Sequence, residues 1–340
     1  MGQDLAGTKL VEFNDVFADV YNNLYFEGNQ VIREEHLEAM PTRAYTKDAS
    51  GNLRGRMRDV RKKCTCGGEY QLILGYEHQS GVDNTMPVRM MGYEYAAYEE
   101  QIDQIRDQNK KDGRDAGAKR IFRNQKLEPV TSCVLYYGDK KWIQPMSLHD
   151  MLNIPEEMPD VVKEKILDFP IHVIQVAYLM EEERERLTSD FRVVAEYLAC
   201  DGDFEKWKEF VGTGDWEVRH VEALLDFLGE ISRDERFYKL LERIRETGEE
   251  EEEWKMCKIL DEYERIGVER GRKEGHKEGR EEGRKEGEKE AHKVSLQIQR
   301  LIRDGIKSGI GESSILDEVV NMYSISRELA SEYYEVAVGD

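Results

Sequence analysis

Two acids, Asp59 in Arg58-Asp59-Val60 and Glu77 in Gly75-Tyr76-Glu77-His78-Gln79, are the residues best suited to chemistry. Each sits on a run with strand character, and a short, small-residue stretch, Cys64-Thr65-Cys66-Gly67-Gly68, lies between the runs. Partners across a hairpin stand roughly 5 Å apart, so carboxylates near its open end can converge on one divalent ion. Hard oxygen ligands suit Mg²⁺, or Mn²⁺ in its place, and leave coordination positions for water and substrate phosphate. Glu77 and Gln79 share a face because side chains alternate along a strand. An acid following an apolar strand must be paired, solvated or bound to a cation. Arg56, Arg58 and Arg61 offer the plain alternative, in which they simply neutralise both acids.

A basic margin surrounds these acids. Arg54 to Lys63 holds six bases against the single acid Asp59, and Arg106 to Lys126 is also rich in Lys and Arg. Bases beside a metal-binding acidic pair are what phosphodiester hydrolysis needs: the ion activates water while Lys and Arg hold the backbone. Ordinary solvated charge is the alternative for each cluster. Cys64-x-Cys66 has the wrong spacing for structural zinc, which wants paired C-x2–4-C motifs and four ligands, so it reads as a hairpin connection.

The elements that would position these groups follow from periodicity. Val11 to Phe26 has helical spacing (Phe13, Val16, Phe17, Val20, Leu24), and Asn84 to Lys111 is a long amphipathic helix opened by Met86-Pro87. Arg56–Lys62, Tyr70–Gln79, Thr131–Tyr137 and Ile171–Val176 read as four strands, the second apolar enough to be central. Strands interleaved with helices predict a mixed α/β sheet. Beyond Ala177 the strand signal stops. Asp190–Leu198, Trp216–Leu228 and Asp234–Arg245 read as helices, with Ser189 and Ser232 as caps, and Val294–Ile310 and Ser313–Val338 as two more. The expected division is a core over 1–180, a helical extension over 181–248, a charged spacer over 249–293 and a helical pair over 294–340.

Within that spacer, Gly267, Gly271, Gly275, Gly279, Gly283 and Gly287 recur every fourth residue, between spacers that are charged almost throughout. A membrane GxxxG interface needs apolar spacers, so that reading fails. Each glycine costs roughly 1 kcal/mol against alanine, more than i,i+4 charge pairs at about 0.3–0.5 kcal/mol return. A four-residue period also drifts about 40° per repeat, which leaves no straight seam. A flexible spacer is the favoured reading; a self-association helix and a nucleic-acid-binding tail are the alternatives.

Composition bounds the rest. No apolar run approaches the roughly 20 residues of a membrane span, and the first residues lack signal-peptide architecture, so a cytoplasmic location is expected. Five cysteines, an odd number, fit reduced thiols rather than a disulfide framework. The net charge of -21 argues against nucleic acid until it is located: residues 181–340 carry 43 acids and 27 bases, residues 1–180 only 28 and 23. The nearly balanced core therefore leaves a DNA substrate open.

Taken in order, Asn14-Asp15-Val16-Phe17-Ala18-Asp19, Asp59-Val60, Gly75-Tyr76-Glu77-His78-Gln79, Met86-Pro87-Val88-Arg89-Met90-Met91 with Tyr93, and Val134-Leu135-Tyr136-Tyr137-Gly138 with Trp142 form a familiar series. The series, over roughly residues 10 to 200, resembles the recombination-promoting nuclease / putative transposase family, a branch of the PD-(D/E)XK nuclease superfamily. The resemblance implies a restriction-endonuclease-like, four-stranded mixed core with an all-helical C-terminal extension, and Mg²⁺-dependent DNA cleavage. It implies that Asp59 and Glu77 ligate metal, that Asp15 is the first-helix acid with Asp19 as runner-up, and that Arg56, Arg58, Arg61, Lys62 and Arg89 meet DNA phosphate. No proline precedes Asp59. Gln79 stands where the family pattern has lysine; a neutral amide cannot serve as general base but would orient water. Self-association through the C-terminal helices is the other expected partnership, and no membrane is expected.

Overall fold

The chain folds around strand Tyr70–Gln79, whose apolar middle is buried on both faces. The computed structural model describes residues 2–47, 53–57, 59–68, 70–114, 116–117, 120–201, 203–212, 216–247 and 255–339. Helices α1 (Gly2–Val11) and α2 (Asn14–Val20) come first, and a π turn over Tyr21–Tyr25 prolongs α2. Strands β1 (Leu37–Ala39), β2 (Arg43–Lys47), β3 (Leu53–Met57), β4 (Val60–Cys66) and β5 (Tyr70–Gln79) follow, then helix α3 (Met86–Lys111) and strand β6 (Val130–Tyr136). Helix α4 (Asp160–Lys163) precedes β7 (His172–Gln175), and the remaining chain is helical: α5 (Glu181–Arg186), α6 (Phe191–Ala199), α7 (Phe204–Gly212), α8 (Val221–Ser232), α9 (Glu235–Thr247), α10 (Met256–Lys307), α11 (Glu312–Tyr323) and α12 (Arg327–Gly339).

The fold is therefore mixed α/β with a helical C-terminal region, as the periodicities predict. Its main sheet has five strands rather than four, in the order β1-β4-β5-β6-β7. β1, β4 and β5 pair antiparallel, whereas β6 and β7 run parallel to β5, with α3 as the crossover that parallel pairing requires. The extra strand, β1, is three residues long and too short to show a period. A predicted strand over Arg56–Lys62 is two pieces. β3 ends at Met57 and pairs with β2 in a separate ribbon, and β4 starts only at Val60. Cys64 and Cys66 belong to β4, their sulfurs 3.0 Å apart in the core; the turn is Gly67-Gly68, both at positive φ. Burial pushes the Cys64 thiol up to about 12.

Alternation along β5 decides what each face meets. Leu74 and Tyr76 turn toward the large core, which α1, α2, α6 to α9 and the first turns of α10 complete. Tyr21 fixes that side: its hydroxyl donates to the Gly75 carbonyl at 2.9 Å and accepts from the Gly75 N–H at 3.0 Å. Ile73 turns the other way, against Ala97 of α3 and Val130. Met86, Met90 and Tyr93 recur on one side of α3 and pack on Val134, Tyr136 and Trp142. Each such apolar side chain contributes about 1.5–3 kcal/mol on burial.

The chain divides into two compact units, residues 1–266 and 267–340. The second is built from Ile298, Ile302, Ile315, Leu316, Val319 and Ala330. The helix expected over Ser313–Val338 is two, since Ser324 adopts φ 54° between α11 and α12. The glycine repeat is helical within α10, which corrects the flexible-spacer reading. Two i,i+4 pairs support it, Arg270–Glu274 at 2.8 Å and Arg284–Glu288 at 3.1 Å. Among the described residues no helix is long and apolar enough to cross a membrane.

Asp19 ties the sheet-covering helices together. Buried at the end of α2, it accepts the N–H and hydroxyl groups of Thr188 and Ser189, and the Asn23 amide at 2.7 Å. This anchors the segment that leads into α6. Asp19→Ala strands several buried donors at once, and should lower unfolding free energy by about 3 kcal/mol. Urea denaturation would reveal that loss, and an unchanged midpoint would contradict the anchoring role.

Candidate active site

Asp59 occupies the bend immediately before β4, and Glu77 lies two residues before the end of β5. Val60 pairs with Tyr76, so Asp59 falls opposite Glu77 at the open end of the hairpin. The structure thus places the two sequence-predicted acids across from one another, although Asp59 stands outside the strand. Its carboxylate accepts the His78 N–H at 2.8 Å. Burial raises the Asp59 pKa despite that hydrogen bond; the Asp4 charge raises it further and Arg89 opposes.

Glu77 is 3 % exposed and turned toward α3. One of its oxygens accepts from the Arg89 guanidinium and, at 3.2 Å, from the Tyr93 hydroxyl. Arg89 extends its other nitrogen to Asp83 at 2.6 Å. Asp83 in turn accepts the N–H and hydroxyl of Thr85, just ahead of α3, which fixes the loop after β5. Burial lowers the Arg89 pKa, but hydrogen bonds to Asp83 and Tyr93 and the Glu77 charge outweigh it, so the guanidinium stays charged. Burial would likewise raise Asp83, yet Thr85 and Arg89 bring it below the usual carboxylate range. Arg89 is a cation clamped between two acids.

Other predicted residues have different partners. Asp15 accepts from His220 Nε2 at 2.9 Å and lies 3.7 Å from Arg219, while Phe13 stacks on the His220 ring at 3.6 Å. Burial would raise Asp15, but hydrogen bonds and the charges of His220 and Arg219 hold it low. Asp19 is consumed by the α6 anchor. Arg61 is buried and pairs with Glu100 of α3 at 2.6 Å. Lys62 is buried over the Phe17 ring, donating to the Glu12 carbonyl and the Asn14 side chain. Neither base is presented to a phosphate in this conformation. Nothing is described for Arg58 or for the Arg56 side chain, which lie outside the described residues. Gln79, half-buried, ends β5, where its carbonyl accepts the Tyr137 N–H at 2.9 Å.

Sequence reasoning missed Asp4, Asp83 and Tyr93. Asp4 acts on both Asp59 and the neighbouring Tyr137 through its charge. It can do so because α1 lies close on β5: a Cβ at Gly7, one turn after Asp4, would stand 3.0 Å from the His78 ring. An acid three residues before a glycine on an apolar helix was the available signal. Asp83 and Tyr93 were legible only as neighbours of Arg89 in space. Among the described residues, no cluster of three or more His, Cys, Asp or Glu side chains is assembled to hold a metal ion.

Residues 49–206 match the family described as putative transposase, YhgA-like. That segment contains Asp59, Glu77, Gln79, Asp83, Arg89 and Tyr93, and leaves out α1 with Asp4. Comparison of the chain with curated proteins and with solved structures gives no match. The matched segment thus carries the whole hairpin and the arginine clamp, while α1, α2, α8, α9 and α10, which help to cover its other face, lie outside the match and α6 lies within it.

Lys62 supplies a pH test of the hairpin's inner face. Burial lowers its pKa to about 8, although Glu12 and Asp15 oppose the shift. A lysine with a folded pKa below the unfolded one sheds its proton first when folded, so folding gains stability as pH rises. Wild type should therefore gain stability relative to Lys62→Met between pH 8 and about 10.5. Equal pH slopes in parallel denaturation series would contradict the burial of this charge.

Proposed function

We propose that the protein is a divalent-metal-dependent DNA endonuclease, hydrolysing phosphodiester bonds at the Asp59–Glu77 hairpin end. One observation carries the reading: two acidic residues stand at opposed positions of the hairpin end, Asp59 just before the Val60–Tyr76 pair and Glu77 just after it, with Arg89 bound to the Glu77 carboxylate. The donor set fits Mg²⁺ or Mn²⁺, which one or two carboxylates bind while waters and phosphate oxygens complete the shell. Asp59 and Glu77 would hold the ion, and when bound it would supply Lewis-acid stabilisation of the phosphate and a more acidic water.

The chain's own residues have separable tasks in this reading. Arg89 balances Glu77 while the site is empty of substrate, which removes the penalty of a lone buried charge. Its planar guanidinium matches a phosphate as well as it matches a carboxylate, so an arriving DNA strand offers it a second partner. Transfer of Arg89 from Glu77 to phosphate would free the carboxylate at the moment substrate binds. Gln79, on the same face of β5 as Glu77, would orient water through its amide, since it has no proton to abstract with. DNA would approach the end of the central strand β5, where the chain turns into the polar loop at Asp83.

A second reading, a catalytically degenerate relative that binds DNA or serves as a scaffold, is favoured by one particular of the site. Arg89 already satisfies Glu77, and Gln79 replaces the lysine of the family pattern. The two readings part in a cleavage assay on supercoiled plasmid with Mg²⁺ or Mn²⁺. The nuclease reading predicts nicking that Asp59→Ala and Glu77→Ala each reduce at least 100-fold, with circular dichroism unchanged. Nicking that survives both substitutions would refute the site, and DNA retention without any metal-dependent cleavage would establish the degenerate relative.

A further inference from the structure

From Val268 to Lys293 every side chain of α10 is exposed, and a Cβ added at Gly271, Gly275, Gly279, Gly283 or Gly287 would meet nothing within 4 Å. The four-residue period sorts the intervening charges into columns. Glu274, Glu278, Glu282, Glu286 and Glu290 all precede the next repeat's small residue. Arg272, His276, Arg280 and Arg284 all follow a glycine. Residues four apart are neighbours on a helix, so the acidic column sets Glu beside Glu throughout and the basic column sets Arg280 beside Arg284, a cost that i,i+3 pairs such as Glu274–Lys277 and Glu282–Lys285 offset only in part. Two i,i+4 ion pairs, Arg270–Glu274 and Arg284–Glu288, fall where a column changes sign: Arg270 opens the acidic column above Glu274, and Glu288 breaks the basic column below Arg284. Such segregation is poor design within one helix and good design between two.

We infer that the repeat helix pairs in parallel and in register with the same helix of a second copy of this chain. Successive residues advance about 100° around the axis, so the basic column lies roughly 100° to one side of the glycine strip and the acidic column roughly 60° to the other. When two such helices run parallel with their glycine strips facing, each acidic column meets the partner's basic column on both sides. Run antiparallel, the acidic columns would meet each other and so would the basic ones. Charge complementarity therefore fixes both the occupant and its direction. Residues 267–293 hold eight acids and nine bases, a balance suited to a copy of itself and unsuited to a polyanion such as DNA. The glycines let the backbones approach closely enough for the columns to reach across. A straight pair would keep register for only about two or three repeats. A repeat longer than 3.6 residues winds the pair right-handed and extends the contact. The inference stands independently of the nuclease reading.

Sedimentation equilibrium of the full chain tests it. Wild type should approach twice its 39.7 kDa mass and dissociate as salt is raised. An acidic-column variant (Glu274→Lys, Glu278→Lys, Glu282→Lys, Glu286→Lys) and a basic-column variant (Arg272→Glu, Arg280→Glu, Arg284→Glu) should each be monomeric, and mixing them should restore the dimer. A monomeric wild type, a single-column variant that still dimerises, or a mixture that stays monomeric would each overturn the pairing. In a Cys257→Ser background, Gly271→Cys and Gly287→Cys chains should each cross-link to themselves. Cross-linking only between the two variants in a mixture would mean antiparallel helices and overturn the direction. Column variants that lose DNA binding while their mass is unchanged would assign the helix to DNA and overturn the inference.

Discussion

The buried pair between Glu77 and Arg89 is the interaction on which the site's architecture turns. Glu77 must face α3 because Tyr76 on the same strand faces the main core. A carboxylate so deeply placed needs a compensating charge, and truncating one partner of such a pair typically costs several kcal/mol. Arg89 supplies the charge from the start of α3, and Asp83 and Tyr93 fix the angle from which it does so. The loop after β5, the first turn of α3 and the open end of the β4–β5 hairpin are thereby held in one arrangement.

The opposite face of the sheet shapes the other acid. Gly7 lets α1 press on β5, which brings the Asp4 charge to bear on Asp59. Asp59 is thus a carboxyl whose ionisation is resisted by burial and by a like charge. A site of this kind gains from a cation more than a solvated pair of acids would. Asp59 and Glu77 are in this sense complementary: one is already neutralised by a protein cation, and the other is short of one.

Much of this was legible in the sequence, and the failures have identifiable causes. The central strand Tyr70–Gln79, the helix opening at Met86-Pro87 and the placing of Asp59 near Glu77 all follow from apolar runs and a Gly-Gly turn. β1 was illegible because three residues carry no period, and α1 because its apolar face lies at the chain start with a glycine in it. Arg61 and Lys62 looked like solvated bases; their burial is decided by Glu100 and by Asn14, far away in sequence. Asp15 and Asp19 lie on the expected helix, but long-range partners, His220 and Thr188-Ser189, claim them. Spacing along the chain identifies candidate charges. It does not identify which of them the fold has already paired.

The central claim is that Glu77 exchanges Arg89 for a divalent cation shared with Asp59. Calorimetric titration of Mn²⁺ into wild type and Arg89→Gln measures that exchange directly. Competition for one carboxylate predicts about tenfold tighter binding in Arg89→Gln than in wild type, with binding abolished when Asp59→Ala is added. Affinity that is unchanged or weaker without the guanidinium, or that persists without Asp59, would contradict it.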